Sequence, residues 1–167
     1  MLAVGAPSGA ALVILALLAT LVWRPPVLLL WNASASSPLG LYRVTPASDL
    51  RTGDMAAAWL PEGARELATK RDYLPRDVPL VKHVAATTGD RVCAAANRIL
   101  VNGKVKAVRR SADLSGRPLP WWHGCRRLGT GEVFLLSPDV PDAYDGRYFG
   151  ITRRGETIGK AMLLWRR

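Results

Sequence analysis

A serine hydroxyl attacks a carbonyl only when a neighbouring base takes its proton. Three serines, Ser34, Ser36 and Ser37, crowd into the stretch from Asn32 to Arg43, just ahead of Pro38 and Gly40. Small polar residues followed by Pro and Gly make a tight turn, which holds a hydroxyl clear of its own backbone. A candidate base lies farther along. If Leu80 to Val84 is a strand, Lys82 shares a face with Leu80 and Val84. An ammonium on an apolar face must snorkel, pair or lose its proton, and desolvation lowers a lysine pKa. A neutral lysine amine is then a general base. Each residue also has a plain reading: serines beside proline are ordinary turn residues, and a strand lysine snorkels from an edge.

Other chemistries fit poorly. The nucleophile-elbow pattern Gly-x-Ser-x-Gly does not occur. His83 alternates off the Lys82 face, and nothing near His123 marks a triad partner. Cys93, His123 and Cys125 have poor ligand spacing for a zinc site. The two cysteines, Cys93 and Cys125, read either as a disulfide or as two buried thiols.

Positioning these residues falls to an apolar N-terminus and a β-rich remainder. The 167 residues have room for one domain plus an anchor. No charged side chain occurs from Met1 to Trp23, and Arg24-Pro25-Pro26 ends the apolar run. A span of about 20 apolar residues crosses the hydrocarbon core. A retained transmembrane helix over 1–24 is therefore predicted in preference to a cleaved signal peptide, which would carry a basic start and a small-residue cleavage site. Val27 to Trp31 is a short apolar piece that lies in the interface or packs on the domain. Orientation is contested: Arg24, Arg43 and Arg51 favour a cytoplasmic domain, whereas paired cysteines favour an extracytoplasmic one.

Beyond Pro38 short apolar runs alternate with turn residues. Strands are predicted at Leu41 to Val44, Met55 to Leu60, Leu80 to Thr87, Ile99 to Val101, around Val105, Glu132 to Leu136 and Lys160 to Trp165. Thr52-Gly53-Asp54, Thr88-Gly89-Asp90, Asn102-Gly103 and Gly129-Thr130-Gly131 separate them. The pattern predicts a small barrel or packed sheets, with one helix over Pro61 to Arg71 and a long loop over Ser111 to Trp122. The net charge of +10 sits in scattered pairs such as Arg109-Arg110 and Arg153-Arg154. Those pairs make no nucleic-acid-binding face, so no nucleic-acid partner is expected; a positive domain beside an anionic lipid bilayer accounts for the charge.

Three segments together resemble one family. Ser36 to Tyr42 resembles the nucleophile box of type I signal (leader) peptidases, and more closely that of the conjugative-transfer, TraF-like branch, Ser-x-Pro-x-Gly-Leu-Tyr. Leu80 to Asp90 resembles the family's lysine box, and Asp145 to Gly150 is similar to its third box, Asp-Ser-Arg-Tyr-Phe-Gly. Val101-Asn102-Gly103 and Gly131 to Ser137 match the family's usual texture between the boxes. The three boxes keep the family's order, and the resemblance covers nearly the whole chain.

The resemblance implies a mainly β, signal-peptidase-like barrel or sheet domain over 36–167, a membrane-proximal linker over 25–35 and the anchor over 1–24. It makes Ser36 the nucleophile, with Ser37 as the alternative, and Lys82 the general base, a pair that needs no metal and no organic cofactor. The Ser36 amide and the Ser34 hydroxyl would line the oxyanion hole, and Asp145 with Arg147 would be a supporting ion pair. The implied activity is a Ser-Lys endopeptidase at the bacterial inner membrane, facing the periplasm and cutting exported precursors after small residues. A conjugative pilin precursor is the implied substrate, with cyclisation of the product left open. The alternative is a non-enzymatic component of the conjugative mating-pore assembly. Two departures stand out: Gly146 and Ala143 occupy positions where the family carries serine.

Overall fold

The computed structural model describes residues 9–22, 27–46 and 49–167, the side chains of 19–22 excepted. Helix α1 (Gly9–Val22) has 14 residues, and its described side chains are exposed and almost all apolar. No helix among the described residues is long and apolar enough to cross a membrane. Of the transmembrane helix predicted over 1–24, the structure describes α1; residues 1–8, 23 and 24 lie outside the described residues.

Ten strands follow. They are β1 (Leu29–Asn32), β2 (Gly40–Thr45), β3 (Met55–Ala58), β4 (Leu80–Ala86), β5 (Arg91–Ala95), β6 (Arg98–Val101), β7 (Lys104–Val108), β8 (Gly124–Arg127), β9 (Phe134–Leu136) and β10 (Thr157–Arg166). Helix α2 (Glu62–Lys70) lies between β3 and β4, and α3 (Gly146–Phe149) between β9 and β10. Pro61 caps α2 instead of entering its first turn. Two antiparallel sheets result, ordered β1-β2-β10-β3-β4-β9 and β7-β6-β5-β8. Of the predicted barrel or packed sheets, the strands form sheets and close no barrel, since β1 and β9 remain edges of the larger sheet. The reason is local: β9 has three residues, and the chain leaves it for the loop that precedes α3. Leu29–Asn32, read from the sequence as part of a linker, pairs with β2 as an edge strand.

The larger sheet is covered on both faces at its centre. Ala56, Ala58, Leu80, Val84 and Leu135 pack on one side, while Ala57, Val81, Tyr42 and Val44 pack on the other. Consecutive residues of β3 and β4 are therefore buried, which takes Lys82 out of water with its neighbours. Gly40 starts β2 at φ +147°, where an added Cβ would lie 2.0 Å from the Trp165 carbonyl oxygen. Only glycine lets β10 pass that close. In the smaller sheet Cys93 and Cys125 are directly opposed on β5 and β8 and joined as a disulfide.

Candidate active site

The serines sit on the turn between β1 and β2, and one buried side chain organises it. Asn32, the last residue of β1, points its Nδ2 at the carbonyl oxygens of Ser34 (3.0 Å), Ser37 (3.2 Å) and Pro38 (3.0 Å). Its Oδ1 accepts from the Ser34 amide at 3.1 Å. The Tyr42 hydroxyl donates to the Pro38 carbonyl at 2.8 Å from the far side. Satisfying these carbonyls from within keeps a tight polar turn stable at the edge of an apolar core.

The two adjacent serines end in different places. Ser36 Oγ is hydrogen-bonded to Lys82 Nζ, and Ser34 Oγ lies 2.8 Å from Ser36 Oγ. Ser37 is buried, and its hydroxyl donates to the Val81 carbonyl at 2.6 Å. Lys82, on β4 opposite Ala56 of β3, is 4% exposed. Burial lowers its pKa from 10.5 to about 8, opposed by the Asp145 carboxylate and assisted by the Arg147 guanidinium. A substantial fraction of a lysine with that pKa is neutral at mildly alkaline pH.

Asp145 and Arg147 lie behind the lysine, both essentially inaccessible. Arg147 Nε and Nη2 grip the two carboxylate oxygens at 2.9 and 2.8 Å. The guanidinium also donates to the carbonyls of Ser137, Val140 and Pro141, at 2.8, 2.7 and 3.1 Å. One buried ion pair therefore holds the loop that follows β9. Asp145 in addition caps α3, accepting from the Arg147 amide at 3.0 Å.

Ser34, Ser36 and Lys82 face a cleft of ≈ 630 Å³ whose remaining wall is mostly apolar, including Leu60, Leu74, Leu80 and Tyr144. Residues 112–119, within the loop predicted over Ser111 to Trp122, close one side. Asp113 anchors it, accepting from Arg117 Nε at 2.7 Å and from the Tyr73 hydroxyl.

Residues 2–166 match the family model described as signal peptidase, peptidase S26. The chain belongs to the S26 signal peptidase family. Within that family it is similar to two plasmid transfer proteins TraF of Escherichia coli, at 34% and 30% identity. Each alignment spans 146 residues, 80% of this chain and 82% of the relative. A solved signal peptidase I from Enterococcus faecalis V583 overlaps 70% of the chain and 98% of its own length. At 15% identity and a TM-score of 0.39, that overlap is too weak to define the fold, which rests on the strands described above and the family match.

The departures from the S26 pattern have a physical setting. A Cβ on Gly146 would lie 2.7 Å from the Leu135 carbonyl oxygen and 2.8 Å from the Phe134 ring, so the serine usual in the family has no room. Ala143 is buried and lines the cleft without a hydroxyl. Cys93 and Cys125, being joined, offer no thiolate to a metal. Asn32 carried no expected role, since its partners become apparent only once the turn has folded back over β1.

Proposed function

We propose that the chain is a membrane-associated serine endopeptidase that matures an exported precursor, with Ser36 as nucleophile and Lys82 as general base. The hydrogen bond between Lys82 Nζ and Ser36 Oγ, in a buried site facing an apolar cleft, carries this reading. Neutral Lys82 takes the proton from Ser36 Oγ as that oxygen bonds to the scissile carbonyl carbon. The carbonyl π pair moves to its oxygen, and the Ser36 amide and the Ser34 hydroxyl donate to the oxyanion. The C–N bond then breaks, and the Lys82 ammonium gives its proton to the leaving amine, which leaves an acyl group on Ser36. Water, deprotonated by Lys82, releases the carboxylate product. An amine of the same polypeptide attacking instead would release a cyclic product, and the product mass separates the two. Ser37, with its hydroxyl committed to the Val81 carbonyl, is the weaker nucleophile candidate.

The substrate we favour is a conjugative pilin precursor, motivated by the likeness to proteins named for plasmid transfer. A periplasmic domain is supported by the Cys93–Cys125 disulfide, a bond that persists in oxidising compartments. Association with the inner membrane is supported by the apolar α1 and by exposed Leu28, Leu29, Trp31, Leu164 and Trp165 on β1, β10 and the residue before β1. On this reading 1–24 holds the chain to the bilayer and 36–167 carries the peptidase.

The test is co-expression of a pilin precursor with wild type, Ser36→Ala, Ser37→Ala and Lys82→Ala, with membranes read by mass spectrometry. Wild type and Ser37→Ala should cut, and the other two should leave the precursor intact while remaining folded. Cleavage by Ser36→Ala would remove that serine from the mechanism.

A further inference from the structure

A neutral lysine amine that accepts a proton from Ser36 through its lone pair still has two N–H bonds to direct. In a buried site, where those bonds point decides where the lone pair points. The nearby hydroxyls on the nucleophile turn are already committed: Ser34 to Ser36, and Ser37 to the Val81 carbonyl. Neither Ala143 nor Gly146 supplies one.

Ser137 remains. It is 2% exposed, and its Oγ is buried without a hydrogen-bond partner among the described residues. Buried hydroxyls are seldom left so, and an orphan beside a reacting centre calls for a reason. β4 and β9 pair His83 with Leu136 and Val84 with Leu135. One step farther in that register, Ser137 stands across from Lys82, on the face shared by Leu135 and Val84. Directly opposed residues of an antiparallel pair have Cβ atoms about 5 Å apart. The Ser137 backbone is pinned on both sides: its amide donates to Asp145 Oδ2 at 2.8 Å, and its carbonyl accepts from Arg147 Nη2 at 2.8 Å. The ion pair thus fixes the backbone from which the free hydroxyl projects.

We propose that Ser137 is the positioning residue for Lys82, its Oγ accepting an N–H of the amine during turnover so that the lone pair stays on Ser36. The proposal rests on the Ser36–Lys82 reading above. It assigns Asp145 and Arg147 a definite task, which is to hold Ser137 rather than to exchange protons. The charged groups acting on Lys82 are Asp145 and Arg147, both from the α3 end. β3 presents Ala56, the turn presents hydroxyls, and His83 lies on the opposite face of β4.

The test compares Ser137→Ala, Ser137→Val and Ser137→Thr in the full chain, with Lys82→Ala as control. Threonine keeps the hydroxyl, and valine has threonine's shape without it. Alanine and valine should lower kcat roughly ten- to a hundredfold, a part of the 10²–10⁴ that a positioned base supplies, with little change in KM. Losing an acceptor for the ammonium should also move the acid limb of the pH profile to lower pH. Threonine should restore both kcat and the limb. A ¹³C NMR titration of Lys82 should show the same pKa order without reference to cleavage. If all three variants keep wild-type kcat with the limb in place, or if threonine fails as valine does with the Lys82 pKa unmoved, the proposal is overturned while the Ser36–Lys82 reading stands. If Lys82→Ala still cuts, both fall.

Discussion

Burial of Lys82 costs the fold stability in a pH-dependent way. Its folded pKa of about 8 lies below the 10.5 of the free side chain, so in between the unfolded state holds more protons. The penalty is at full size below pH 8, shrinks as pH rises from 8 to 10.5, and vanishes above. A shift of this size corresponds to roughly 3 kcal/mol. Lys82→Met should abolish cleavage yet raise stability at pH 7 by about 1–3 kcal/mol, because a buried charge is replaced by an apolar chain of similar length. Denaturant titrations at pH 7 and pH 10 check this: the gain should fall at the higher pH, and a loss at pH 7 would contradict the burial account. The ion pair behind the lysine should behave oppositely. Arg147→Ala leaves Asp145 charged and three carbonyls without their donor, and should cost about 3–5 kcal/mol by the same measurement.

The turn between β1 and β2 depends on one amide. Asn32→Asp puts a carboxylate against three carbonyl oxygens where an N–H had pointed, whereas Asn32→Ala removes the bonds without adding repulsion. Both should lower kcat by displacing Ser36, and Asn32→Asp should also be the less stable by about 1–3 kcal/mol at neutral pH. Equal stabilities would mean that the turn is held from elsewhere. Gly146→Ser, which restores the family's usual residue, should destabilise rather than help, since its Cβ meets the Leu135 carbonyl and the Phe134 ring. Thermal melting decides the sign. Elements such as β2, β4 and α2 were legible in the sequence because alternation, glycine turns and Pro61 mark them locally. β8 was not, as all four of its residues are exposed and its pairing depends on β5. β1 was hidden because Leu29 and Leu30 continue an apolar stretch that points to membrane or interface rather than sheet. Lys82 and the serine cluster could be singled out by type and spacing. Asn32 and Ser137 could not, because what they do depends on a fold-back and on a cross-strand register.

Across the whole molecule, the proposed Ser36–Lys82 site and an exposed apolar patch share one sheet. β1 leads into the nucleophile turn and is itself an edge strand, and its Trp31 meets Trp165 of β10 at 5.8 Å between ring centroids. Indole rings beside exposed leucines are suited to a bilayer interface. Leu29→Ser with Trp165→Ser should reduce co-sedimentation with anionic vesicles and slow cleavage of a membrane-embedded precursor, while a short soluble peptide is cut as before. Equal loss on both substrates would show that the patch serves the fold. The proposed mechanism requires a buried, neutral Lys82 to activate Ser36. The most direct measurement is kcat/KM for a precursor peptide from pH 6 to 10 with wild type, alongside Ser36→Ala and Lys82→Met. Wild-type activity should rise through a midpoint near pH 8, and both variants should be inactive while folded. A flat profile, or cleavage by either variant, would contradict it.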